Sequence, residues 1–141
     1  MAAYVKYQLG IEKMMEAGNA GTDTWQLILS NTAPNVATNT TAASATELGT
    51  AGGYTAGGVN CTITSAVSTT GDYKLILAAP ASPTWTASGG GFTFQYVILY
   101  NLSLTQCIGY WDYGTAVVMN GTNADTFTPS LDAVNGVFTI S

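Results

Sequence analysis

The sequence predicts an all-β protein: an antiparallel sandwich or barrel-like fold of about eight short strands with one N-terminal helix. Three observations carry that expectation. Short runs rich in Val, Ile, Thr, Tyr, Phe and Trp alternate with a period of two, Gly, Asn and Pro turns separate them, and one stretch alone has a helical period. At 141 residues the chain reads as a single domain, 1–141, long enough to bury a core.

In chain order, residues 4–17 form the helix candidate. Tyr4, Tyr7, Ile11, Met14 and Met15 recur at three- and four-residue intervals, Gly10 interrupts the run, and Gly18-Asn19 supplies a stop. Thr24–Ser30 alternates Trp25, Leu27 and Leu29 with Thr24, Gln26, Ile28 and Ser30 and reads as the first strand. Residues 31–57 are a long polar stretch ending in glycines. Loops of that length are uncommon in compact domains. Two readings stay open for it: a surface arm ordered by a neighbouring subunit, or a loop containing a short strand or helical turn around Ala45–Leu48.

Gly58–Val67 is the next strand, with Val59, Cys61, Ile63 and Val67 expected inward. Thr70-Gly71-Asp72 turns the chain into Tyr73–Ala78, Pro80 and Pro83 interrupt pairing, and Thr84–Thr86 is a short strand. Residues 92–113 are the densest apolar stretch and form the central hairpin. In it Phe92, Phe94, Tyr96, Ile98 and Tyr100 are expected on one face, and Val97 and Leu99 on the other. Both faces of the strand's later half are therefore apolar and need a cover. Thr115–Met119, Thr126–Thr128 before Pro129, and Val137–Ser141 complete the strands, with Asn120-Gly121 and Asn135-Gly136 as turns.

Composition narrows the function classes. Only 8% of residues are charged, against a usual value of about 25%. A net charge of −5, with no Arg and with lysine only at Lys6, Lys13 and Lys74, argues against nucleic-acid and anionic-membrane binding. No apolar run has the roughly 20 residues needed to span a bilayer, and the first residues predict no signal peptide. Cys61 and Cys107 either pair across adjacent strands or stand as buried thiols, and the lack of a secretion signal favours the thiols.

The chain has no His, so the common general base and the commonest metal ligand are missing, and its eight carboxylates are scattered. No catalytic, cofactor or metal site is expected. Asp112 lies among aromatic residues in Tyr110-Trp111-Asp112-Tyr113, where it either caps a turn or assists sugar binding by the rings. The sequons at Asn39, Asn60, Asn101 and Asn120 read as chance matches in a Thr- and Asn-rich chain.

The motifs Gly21-Thr22-Asp23-Thr24-Trp25-Gln26-Leu27, Ser30-Asn31-Thr32-Ala33-Pro34, Gly53–Gly58, Gln95–Asn101, Ile108–Gly114 and Asn135-Gly136-Val137 occur in that order. The pattern resembles a family of small structural proteins of tailed bacteriophages. The chain departs from it in the 35–46 stretch and in Trp111. The resemblance implies a non-enzymatic virion protein assembled in the host cytoplasm, either a capsid decoration (cement) protein or a tail or head-fibre domain that binds host glycans. Its partners would be the major capsid protein or other virion proteins, and further copies of itself in a homo-oligomer. For the first role the expected subunit contact is Tyr4, Tyr7, Ile11, Met14 and Met15 with Pro34, Val36, Leu48 and Tyr54. For the second, the expected glycan contact is Tyr110, Trp111, Asp112 and Tyr113.

Overall fold

Trp25–Ser30 forms a strand, β2, and both of its faces are covered. Trp25, Leu27 and Leu29 point into one core, Ile28 into another, and all four are fully buried or nearly so. The computed structural model describes residues 2–69 and 72–140. The expected turn residues Thr70 and Gly71 and the terminal Ser141 lie outside that range.

The remaining elements are β1 (Tyr4–Lys6), α1 (Gln8–Ala17), β3 (Val59–Asn60), β4 (Thr62–Thr69), β5 (Asp72–Ala78), β6 (Trp85–Thr86), β7 (Phe92–Asn101), β8 (Gln106–Met119), β9 (Thr126–Phe127) and β10 (Phe138–Ile140). They pair antiparallel as a five-stranded sheet β1-β8-β7-β2-β3, a three-stranded sheet β10-β5-β4 and a two-stranded sheet β6-β9. The protein is all-β with one helix, as expected, and its sheets do not close into a barrel. The main core joins Trp25, Leu27, Leu29, Val97 and Leu99 of the large sheet to Leu75, Leu77 and Phe138 of the small one. Trp85, Phe127, Phe94 and Tyr113 continue it as a cluster of rings, with Phe94 and Phe127 centroids 4.7 Å apart.

The expected single face of β7 is overturned by a bulge. Phe94 pairs with Val117, and the next recorded pair is Tyr96 with Asp112, so Gln95 stands against Tyr113, Gly114, Thr115 and Ala116. A bulge shifts the alternation by one residue and sends the following side chains to the opposite face. Phe94 therefore shares the main core with Val97 and Leu99, while Tyr96, Ile98 and Tyr100 enter a second core with Tyr7, Ile28, Ala45 and Cys107. The bulge also joins the returning strand of the hairpin expected to end at 113 and the strand expected at 115–119 into one, β8.

The second core is roofed by the 31–58 segment. Ala45 is buried there with Ala42 packed beside it, and Cys107 N–H donates to Thr40 C=O. The segment also satisfies the outer edge of β2 where β3 stops. Leu48 N–H donates to Leu29 C=O at 2.8 Å, Leu29 N–H donates to the Tyr54 hydroxyl at 3.1 Å, and that hydroxyl donates to Glu47 Oε1 at 2.7 Å. Around Ala45–Leu48 the chain makes a turn followed by a single bridge, Ser30 to Glu47. The segment lies on the protein's own body.

Two further expectations are corrected. The helix begins at Gln8, not at residue 4, because Tyr4, Val5 and Lys6 pair with Trp111, Tyr110 and Gly109 on the free edge of β8. The three- to four-residue spacing of Tyr4 and Tyr7 mimics a helix, but an open strand edge offers backbone partners that outweigh weak local preference. Gly10 sits within the helix, where it allows close approach: a Cβ there would collide with Cys107 C=O. The strand expected at 58–67 is split into β3 and β4. Its register shifts between Ile63 and Ser65, so Ala66 packs on the core and Val67, expected inward, is 55% exposed. Cys61 and Cys107 are free thiols, Cys107 fully buried.

Candidate interaction surfaces

The residues expected to form a subunit contact do not share one surface. Tyr7, Met14 and Tyr54 are interior: Tyr7 lies in the second core, Met14 and Tyr54 in the main one. Tyr4, Ile11, Pro34, Val36 and Leu48 are partly buried, and only Met15, 64% exposed, projects freely. The physical reason is that α1 does not stand off the sheet. Its Gly10 face lies on the β8 backbone, which draws Tyr7 and Met14 inward. Met14 is fixed further by Asn101, whose Nδ2 donates to Met14 Sδ at 3.4 Å and to Asp23 Oδ2 at 2.8 Å.

The structure does bring the helix and the long segment side by side. Gln8 N–H donates to Val36 C=O at 3.0 Å, and a shallow cleft of about 190 Å³ opens between Leu9, Glu12, Lys13, Glu16, Thr40 and Gln106. Glu12, Lys13, Met15 and Glu16 form the solvent side of α1. Of these, Met15 was expected in the contact, whereas Glu12, Lys13 and Glu16 lie off the apolar stripe that the sequence shows.

The aromatic hairpin end splits in the same way. Trp111, 6% exposed, lies in the main core with its ring 4.8 Å from that of Tyr4, and Tyr113 packs edge-on to Phe94 and Phe127. Tyr110 turns to the other face, where it meets Tyr7 and Tyr96 edge-on. Strand alternation separates neighbours that looked like one cluster. Asp112 is exposed and serves the bulge: its Oδ1 accepts from Gly114 N–H at 2.7 Å and from Gln95 Nε2 at 3.0 Å. The Gln95 amide, then the Gly114 N–H, hold its carboxyl below the usual aspartate range. Gly114 has φ of +78°, a conformation that glycine adopts without steric cost and that turns the bulge.

Burial raises the pKa of Tyr4, Tyr7 and Tyr54 well above the usual tyrosine range, and pushes the Cys61 and Cys107 thiols up to about 12. A buried thiol held protonated is a poor nucleophile. The Tyr4 and Tyr7 hydroxyls are buried with no hydrogen-bond partner among the described residues. Among those residues no group of three or more Cys, Asp or Glu is placed to hold a metal ion, and no helix is long and apolar enough to cross a membrane.

Comparison with known proteins found no matching family model, no matching curated protein and no matching solved structure.

Proposed function

We propose that the chain is a non-enzymatic structural protein of a bacteriophage particle, a capsid decoration protein that binds the major capsid protein as an oligomer. The observation that carries this reading is the surface. An accessible area of 6707 Å² is served by three lysines and eight carboxylates, leaving most of it to Thr, Ser, Asn, Ala and Gly. Docking such a surface strips few charges of their water, the largest cost in burying polar protein surface. Many weak copies of the contact then add up through multivalency on a repeating shell.

The sequence resemblance to phage structural proteins supports the same reading through the frame. Its motifs fall on β2, on the turns leading to β3, on the β7–β8 hairpin and on the turn before β10, so they belong to the frame. The contact favoured for the shell is the solvent side of α1, with Met15 exposed, together with residues 31–41 beside it. The glycan-binding reading is not favoured, because Trp111 is interior and Tyr110 and Tyr113 face opposite sides of β8.

Electron cryomicroscopy of intact virions tests the proposal by locating and counting the protein. Many copies over the shell, touching it through α1 and the adjoining loop, are expected. Absence from the particle, or a few copies confined to the tail or one vertex, overturns the decoration role.

A further inference from the structure

We infer that the outer edge of β4 is a self-association edge, and that two copies of this chain join there as antiparallel strands. β4 is hydrogen-bonded on one side only, to β5, from Thr62 opposite Ala78 to Thr69 opposite Asp72. No backbone hydrogen bond reaches its other side from any described residue. Eight residues make an edge about 27 Å long at roughly 3.4 Å per residue.

Among the described residues the other strand edges are short or blocked, β6 and β9 having two residues each. β1 and β10 have three residues each, and β3 has two. The edge of β2 is closed by Leu48 and Tyr54, and β8 beyond Trp111 is broken by the bulge at 113–116. Natural proteins protect open edges with charge, proline or bulges. Thr-Ile-Thr-Ser-Ala-Val-Ser-Thr has no charge and no proline, and its one irregularity, between Ile63 and Ser65, leaves Ser65–Thr69 in regular register.

The occupant follows from that chemistry. A row of unpaired backbone groups on an edge pairs with another extended strand by β-addition. The edge offers no charge by which to select a charged peptide, whereas a second copy supplies the same uncharged strand at the protein's own concentration. Pairing about a two-fold axis is self-complementary. It sets hydroxyl-bearing and small side chains opposite one another, and such cross-strand pairs are favourable while like charges would not be. The whole chain carries −5, so copies repel at long range, and β4 is a stretch where they meet without opposed charges. The nearest charges of the sheet, Lys74 and Asp72 on β5, are of opposite sign. A strand edge alone buries well under the roughly 1,600 Å² of a standard stable interface, so the pairing is weak and concentration-dependent.

This inference goes beyond the virion reading, since it concerns the isolated chain in solution. A monomeric result overturns the edge pairing while leaving the virion reading to microscopy. The experiment is sedimentation velocity from about 10 µM to about 1 mM, a span chosen for weak association, with amide hydrogen exchange at both extremes. Dimer is expected to grow with concentration, and β4 amides are expected to gain protection at the high end. Val67→Lys should weaken dimerisation by about tenfold or more, whereas Val134→Lys, at another exposed valine on the 132–136 turn, should not. A monomer at every concentration, equal weakening by both variants, or protection gained only outside β4 overturns the inference. The exchange measurement needs no variant, so it decides the matter even if Val67→Lys fails to fold.

Discussion

The two larger sheets solve the same problem differently. The five-stranded sheet is buried on both faces: the three-stranded sheet covers one, and a polar segment, 31–58, covers the other. The three-stranded sheet buries a single face and leaves Val67 and the β4 edge to solvent. The difference shows that a second hydrophobic layer can be roofed without a second sheet. The roof works because the small Ala42 and Ala45 pack into one cluster with Tyr100, Ile98 and Ile28, while hydroxyl, amide and carboxylate groups satisfy the loop backbone. The single Ser30 hydroxyl proton is shared between the carbonyls of Ala45 and Thr46, both within reach of Oγ, Ser44 Oγ accepts from Thr40 and Thr41 N–H, and Asn39 Oδ1 accepts from Asn35 N–H.

The largest effect expected from breaking this arrangement is at the second core. Ile98→Ala should cost about 2–5 kcal/mol of stability, the range for emptying a buried branched side chain, because Ile98 is fully enclosed between β2, β8 and the roof. Urea denaturation measures it. A cost below about 1 kcal/mol would mean that the second layer is not packed. Tyr54→Phe should come next, at about 1–3 kcal/mol. It removes the acceptor of the buried Leu29 N–H and the donor to Glu47 together, and amide exchange over 47–58 should quicken with it.

Alkaline pH should act on both cores through the thiols. The Cys107 thiol is raised from 9.0 to about 12 by burial first and by the Glu47 charge second, and Cys61, packed against the main core, is raised to about 12 by burial. A group whose pKa is higher folded than unfolded contributes stability that is complete below the unfolded value. That contribution is lost as pH rises from about 9 towards about 12. In this window each such thiol steepens the loss by up to about 1.4 kcal/mol per pH unit. Cys107→Ala should make the pH dependence shallower than in the unsubstituted chain, and identical slopes would show that the thiol is not held protonated by the fold.

Much of the frame was legible in the sequence because it depends on local alternation. Trp25, Leu27 and Leu29 face one core, Tyr73, Leu75 and Leu77 face it from the other sheet, and turn residues mark most strand ends. What could not be read was anything set by a bulge. The shifts at Gln95 and near Thr64 each reverse which residues point inward, and no local signal distinguishes Tyr96 from Phe94 or Val67 from Ala66. The candidate surfaces failed for the same reason. Tyr110, Trp111 and Tyr113 are adjacent in sequence but alternate or bulge to different sides, and Tyr7 and Met14 are drawn inward by a glycine contact between α1 and β8. Gly114 beside Asp112 was the one trace of the larger bulge, since an acceptor two residues before a permissive backbone position marks a turn.

The smallest expected effect lies on the small sheet and sharpens the comparison with Ile98. Val67→Thr keeps the β-branched shape that suits a strand and replaces a side chain already more than half in water. The change in unfolding free energy at low protein concentration should stay within about 0.5 kcal/mol, as for ordinary surface substitutions. The outer face of β4 then contributes little to the monomer, and its uncharged pattern has to be explained by something other than folding. A loss well above about 1 kcal/mol would show that Val67 packs within the monomer, and the contrast between a sheet covered on two faces and one covered on a single face would disappear.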